Sequence, residues 1–187
     1  MIKGQRVFLT AVNKSSIEQL RQWRNDPDLR KYFREHREIS QDMQESWFKD
    51  RVSNNDKQVD FEIHFSSSGA LIGHCGLYYI NWINRTAELT IYIGDSTYKG
   101  KGLGSDALRL LMDYAFKTIN LNRVWCEVFS NNAAVDVYRK IGFKDEGILR
   151  QHHYEDGKFL DCYVLGLLRD EWITSQEAKY HESAGVT

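Results

Sequence analysis

The stretch from Ala87 to Phe129 constrains the fold more than any other part of the chain. "AELTIYIG" alternates, with Leu89, Ile91 and Ile93 on one side and Glu88, Thr90 and Tyr92 on the other, the period of a strand. The glycine-rich "YKGKGLGSDAL" follows. A helix is predicted from about Gly104 to Thr118, with Leu103, Ala107, Leu110, Leu111, Tyr114 and Ala115 as its apolar stripe. "RVWCEVF" is then a second strand. Two strands joined through a helix run parallel, because antiparallel neighbours need only a tight turn. The centre of the chain is therefore a parallel β-α-β crossover.

The flanks read as antiparallel pairs and helices. Val7 to Val12 forms a first strand. Ser15 with Glu18 three positions on has the capping-box spacing, and Ile17, Leu20 and Trp23 fall on one helix face behind it. A short helix follows with Pro27 in its first turn, and another is capped by Ser40 with Met43, Trp47 and Phe48 in phase. "VDFEIHF" puts Val59, Phe61, Ile63 and Phe65 on one face, "SSSG" turns the chain, and "ALIGHCGLYYI" returns. After the crossover, "NNAAVDVYRKIGF" is a helix ending at Gly142. A last hairpin turns at Glu155–Gly157. The expectation is a mixed α/β (α+β) fold: a twisted, mostly antiparallel sheet of about seven strands with one parallel crossover and flanking helices. One domain is expected over residues 1–172, with 173–187 as a frayed tail lacking apolar periodicity.

Composition narrows the class. Lys+Arg number 25 against 26 Asp+Glu, which argues against a dedicated nucleic-acid binder. Cys75, Cys126 and Cys162 lie far apart in apolar runs with no C-x-x-C pair, so neither a disulfide framework nor a metal centre is expected, and a reducing cytoplasm suits them. No apolar run approaches a membrane span. His152 and His153 are adjacent and on a strand would point to opposite faces.

A glycine-rich loop between strand and helix suits an anion. The helix start leaves amides unsatisfied at the positive end of its dipole, and glycine lets the backbone approach phosphate oxygens. Lys99 and Lys101 add charge. The spacing fits neither G-x-G-x-x-G nor G-x-x-x-x-G-K-[ST]. Read alone, the loop is better explained as a structural turn.

Its neighbours add a resemblance. "KGKGLG" resembles the [QR]-x-x-G-x-[GA] loop of the GNAT superfamily of acetyltransferases, with Lys99 where the family more often has Arg or Gln. Asn131, Ala134, Tyr138, Gly142 and Phe143 match that superfamily's N-x-x-A-x-x-x-Y-x-x-x-G-F segment in register. "INWINRTAELTIYIG" and the final hairpin are similar to the branch of ribosomal-protein N-terminal, spermidine and amino-sugar acetyltransferases. The resemblance implies a GNAT fold and acetyl-coenzyme A as co-substrate. It implies cofactor contacts at Ile91, Tyr92, Ile93, Lys99, Gly100, Lys101, Gly102, Leu103, Gly104, Ser105, Asn131, Ala134 and Tyr138. A backbone N–H near Ile91–Ile93, bared by a bulge, would serve the oxyanion. Tyr138 would hydrogen-bond the departing thiolate.

Only a neutral amine attacks a thioester, so a base must take a proton. Glu88 is the first candidate and Glu127 the second; a salt-bridged strand residue is the alternative for Glu88. Arg21, Arg24, Arg30, Lys31, Arg34 and Arg37 face only Asp26, Asp28 and Glu35 between Arg21 and Arg37. That balance favours a nucleotide-linked amino sugar as acceptor, ahead of a protein N-terminus and then a polyamine. A non-catalytic acyl-CoA-binding module is the rival class. The strands after Gly142 offer an edge through which two copies could form a homodimer.

Overall fold

The computed structural model describes residues 1–53 and 55–184. The chain divides into two compact units, one made of residues 1–80 with 89–111, the other of residues 81–88 with the chain from Met112 onward.

The first unit opens with β1 (Ile2–Lys3) and β2 (Val7–Ala11), then α1 (Ile17–Asn25), α2 (Pro27–Arg30) and α3 (Gln41–Trp47). β3 (Val59–Phe65) and β4 (Leu71–Asn81) follow. β2 pairs antiparallel with β3 through Leu9↔Ile63, and β3 with β4 through Phe61↔Cys75. Val12, Ile17 and Leu20 make an apolar cluster under the helices, with Trp23, Trp47, Phe48 and Val52 packed on it. Ser40 caps α3 by accepting from Met43 N–H at 3.2 Å, and Asp26 caps α2. The predicted capping box does not form. Lys14–Ser16 already winds as a tight turn, so α1 starts at Ile17, and Glu18 accepts from Arg21 instead.

β5 (Thr86–Ile93) leads into α4 (Leu103–Asp113), which widens into a π-type turn at Tyr114–Thr118. The predicted stripe shifts: Leu108, Met112 and Phe116 are buried together with Leu103, Ala107, Leu111 and Ala115, while Leu110 and Tyr114 are half-buried. The helix is covered over a wider arc than one stripe provides.

In the second unit, β6 (Arg123–Phe129) pairs parallel with β5 at Ala87↔Val124, the predicted crossover. α5 (Ala134–Ile141) ends at Gly142, whose N–H donates to the Tyr138 and Arg139 carbonyls. β7 (Lys144–Glu155) and β8 (Lys158–Leu168) form the last hairpin, turning at Asp156–Gly157. β8 inserts between β6 and β7, giving an eight-stranded order β1-β2-β3-β4-β5-β6-β8-β7. The eighth strand is the two-residue β1, too short to read as a period.

Two expectations fail in this unit. α6 (Arg169–Ala184) is helical where a frayed tail was expected; residues 185–187 lie outside the described residues. Trp172 anchors it, almost fully buried, with its indole N–H donating to Asp113 at 2.9 Å. His152 and His153 also do not oppose one another: His153 stacks on Phe129 and His152 lies 3.8 Å from Glu127, both on β6. Gln151 at φ 51°, inside a register irregularity of β7, breaks the alternation.

Candidate functional site

In the first unit, the glycine loop ends one residue earlier than the sequence predicts. Gly100 and Gly102 sit at φ +73° and +76°, a region glycine enters without a Cβ penalty. The first helical bond runs from Asp106 N–H to the Gly102 carbonyl at 3.2 Å. Gly102 therefore caps α4, and Ser105 lies inside the first turn. The amides of Leu103, Gly104 and Ser105 have no partner inside the helix. Lys99, Gly100 and Lys101 are exposed, and a Cβ on Gly100 would meet nothing within 4 Å. An anion can thus reach the backbone from outside.

Arg6 holds this loop, a role the sequence does not announce. Its guanidinium donates to Asp106 Oδ2 at 2.6 Å and to the Lys101 carbonyl at 2.9 Å. The pairing also neutralises a carboxylate that would otherwise face any anion bound at the helix start. The hydrogen bond to Asp106, then its charge, raises the Arg6 pKa.

β5 reaches the loop through Ile93, which lies in ordinary contact with the position a Gly104 Cβ would take, at 3.6 Å. Both faces of β5 are covered, since Ala87, Glu88, Leu89 and Tyr92 are all buried. A strand inside a sheet covered on both faces has no solvent side. The register irregularity recorded in this unit lies in the β3–β4 pairing, where Ile63↔Gly73 is followed by His64↔Leu71. Ile72, the residue skipped, accepts from the amides of Gly94 and Asp95 at 2.9 and 3.3 Å.

The face of β3 opposite its apolar one is buried too. Asp60, Glu62 and His74 are 6%, 1% and 2% exposed. Asp60 accepts from Gln58 at 2.7 Å, His74 Nε2 at 2.9 Å and the Tyr78 hydroxyl at 2.9 Å. Glu62 accepts from Asn13 N–H at 2.8 Å and lies 2.9 Å from His64 Nε2. These residues sit at alternate polar positions and read as a solvent face. The available clue was that three predicted helices need a sheet face to cover. Several of the Arg21–Arg37 cations are also engaged: Arg21 with Glu18 and the Ile39 carbonyl, Arg37 with Glu35. Glu35 is held down to a pKa of about 2, chiefly by the hydrogen bond from the Arg37 side chain.

In the second unit, α5 carries Tyr138, 8% exposed, edge-on to Phe143 with ring centroids 5.6 Å apart. Burial, then neighbouring Cys126, pushes the Tyr138 hydroxyl well above its ordinary pKa. The group is therefore an O–H donor throughout the neutral and mildly alkaline range. Glu88, in register with Trp125, is buried. Glu127 is half-buried on β6. Ala134 N–H donates to Asn132 Oδ1 at 2.9 Å. Asn131, a predicted cofactor contact, donates instead to Glu155 at 2.5 Å.

Known proteins extend these observations. The sequence model described as the acetyltransferase (GNAT) domain matches residues 6–144. A spermidine N(1)-acetyltransferase of Vibrio cholerae is 26% identical over 93% of this chain and 99% of its own. A putative ribosomal N-acetyltransferase of Bacillus subtilis, YdaF, is 36% identical over 56% of this chain and 57% of its own. The crystal structure of a Vibrio cholerae spermidine N-acetyltransferase with CoA and spermine superposes with a TM-score of 0.84 at 25% identity, covering 90% of this chain and 98% of that one.

Proposed function

The chain belongs to the GNAT acetyltransferase family and is an acetyl-coenzyme A-dependent N-acetyltransferase; from that premise we propose that it acetylates the amine of a protein N-terminus or of a polyamine. The amino-sugar acceptor predicted from local charge finds no support. The relatives are named for spermidine and ribosomal acceptors, and two of the cations that favoured phosphate, Arg21 and Arg37, are already paired with Glu18 and Glu35.

The observation that carries the reading is the α4 start, with left-handed Gly100 and Gly102 and an open approach to the backbone. Lys99, Gly100, Lys101, Gly102, Leu103, Gly104 and Ser105 hold the pyrophosphate in this reading. Ile91, Tyr92, Ile93 and Ala134 are proposed as further cofactor contacts, the Ile91–Ile93 backbone as the oxyanion donor. Asn131 would join them on leaving Glu155. Bound acetyl-coenzyme A supplies the thioester carbonyl, to which the amine's nitrogen bonds before the C–S bond breaks. Glu88 takes the amine's proton, directly or through water, with Glu127 as second candidate. Tyr138 hydrogen-bonds the sulfur as charge develops on it. The three cysteines are buried and outside any disulfide, as suits a cytoplasmic protein. Among the described residues no helix is long and apolar enough to cross a membrane. β7 lies at the sheet edge with Ile148 and Tyr154 exposed, beside exposed Phe159 of β8, which suits pairing of two copies into a homodimer.

Thiol release from acetyl-coenzyme A across an amine panel tests the reading. Turnover on at least one amine is expected; tight coenzyme A binding without turnover on any amine would leave the non-catalytic rival standing. Glu88→Gln is expected to lower kcat by about 10²-fold; unchanged kcat passes the role to Glu127. Arg6→Met leaves Asp106 uncompensated at the anion cradle. It is expected to weaken acetyl-coenzyme A binding about twofold to fivefold, the scale of a helix-terminus charge. Calorimetric titration measures this, and adding Asp106→Asn should restore most of the loss. Equal affinities in wild type and Arg6→Met would remove Arg6 from the cradle.

A further inference from the structure

The buried Asp60 network is closed at one end and open at the other. The Asp60 carboxylate has three donors, and His74 Nε2 is one of them. A neutral His74 ring that donates from Nε2 carries a lone pair on Nδ1. That nitrogen is buried and has no hydrogen-bond partner among the described residues. Arg24 Nε, a buried donor, is likewise without one. Glu62 nearby is satisfied by Asn13, Thr10 and His64.

Both open atoms belong to groups gathered around Tyr92. The His74 ring lies 5.5 Å from the Tyr92 ring. The Phe33 ring meets Tyr92 edge-on at 5.3 Å, and the Arg24 guanidinium lies over Phe33 at 4.6 Å. Trp47 closes the other side of His74, edge-on at 5.9 Å. Desolvating a donor or acceptor without pairing it is unfavourable, so an acceptor and a donor both left open describe the ligand that would fill them.

We propose that this cluster recognises the acceptor and selects an N-terminal α-amine with its adjoining carbonyl. His74 Nδ1 accepts an N–H from the uncharged amine, leaving the amine's lone pair free to attack. Arg24 Nε donates to the carbonyl oxygen. Asp60 acts through His74, holding the ring in the tautomer that accepts, as the buried aspartate of a catalytic triad does. A polyamine fits these atoms poorly: it has no acceptor for Arg24 and adds positive charge beside a guanidinium. It also presents little neutral amine. At pH 7.4 about a fifth to a third of α-amines are uncharged, against about one alkylamine in a thousand. The inference rests on the acetyltransferase reading above and narrows its acceptor.

The test is thiol-release kinetics on the full chain with three acceptors: a short peptide amide with a free N-terminus, the same peptide blocked at its N-terminus and carrying a lysine, and spermidine. Wild type is expected to show a kcat/KM for the free N-terminus at least about tenfold above the other two, with mass spectrometry placing the acetyl group on the α-amine. His74→Gln can keep the bond to Asp60 through its amide but offers no acceptor at the Nδ1 position. It should raise the peptide KM about tenfold while the acetyl-coenzyme A KM stays unchanged. Arg24→Met should raise the peptide KM and leave that for spermidine equal or lower. Wild-type preference for spermidine or for the lysine side chain overturns the proposal, and this arm needs no variant to fold. A His74→Gln enzyme that binds acetyl-coenzyme A but keeps the wild-type peptide KM also overturns it. Absence of turnover on every amine would defeat the underlying acetyltransferase reading instead.

Discussion

Replacing Tyr138 with phenylalanine is expected to lower kcat by about 10²-fold, the scale of losing one hydrogen-bond donor to developing charge, while acetyl-coenzyme A affinity stays near the wild-type value. Phenylalanine keeps the ring that packs edge-on against Phe143 and removes only the O–H, so stability changes little. The departing thiolate has a pKa near 8.5 as a free thiol, and an ordinary tyrosine sits near 10. Burial pushes Tyr138 higher still. Full proton transfer is therefore uphill, and the hydroxyl acts by a hydrogen bond that strengthens in the transition state. Because the pKa is raised, the O–H stays protonated below pH 10. Activity should then show no alkaline decline owed to Tyr138 in that range. Single-turnover rates with saturating acetyl-coenzyme A measure the effect. A Tyr138→Phe enzyme as fast as wild type would take Tyr138 out of the chemistry.

The second large effect concerns the fold beneath the site. Gly73→Ala is expected to destabilise the protein by about 1–3 kcal/mol or more, lowering Tm by about 2–4 °C per kcal/mol in a chain of this size. A Cβ at Gly73 would lie 2.2 Å from the Tyr92 carbonyl oxygen and 3.1 Å from the Ile93 Cα. Those are backbone atoms, so no rotamer change relieves the contact, and Tyr92 and Ile93 must shift. Gly104→Ala is the control. Its Cβ meets only Ile93 at 3.6 Å, an ordinary contact, and alanine favours the helix over glycine. Thermal unfolding should place Gly104→Ala at or above wild type and Gly73→Ala well below it. Equal melting of all three would mean β4 and β5 do not approach as closely as described.

Much of the fold was legible because its signals are local. The parallel crossover followed from the order strand, glycine loop, helix, strand. Ser40 and Gly142 followed from the amides and carbonyls a helix end leaves open. The failures have local causes of another kind. Ser15 lost its cap because a tight turn came first. The alternation at His152–His153 broke where Gln151 adopts a positive φ. The tail helix holds through one buried tryptophan, Trp172, which carries no periodicity of its own.

The proposed site divides the same way. Sequence alone determined the family and the acetyl donor and nominated the glycine loop and Tyr138, because these depend on residue types at set spacings along one segment. Tertiary structure alone decided that Gly102 caps α4, that Arg6 shields Asp106, and that Asp60, His74 and Arg24 gather around Tyr92. Arg6 and Asp106 are a hundred residues apart, and Asp60 and His74 lie on separate strands. Alternation tells which residues share a face of a strand. Whether that face meets water or protein depends on what packs over it, and here the polar face is buried.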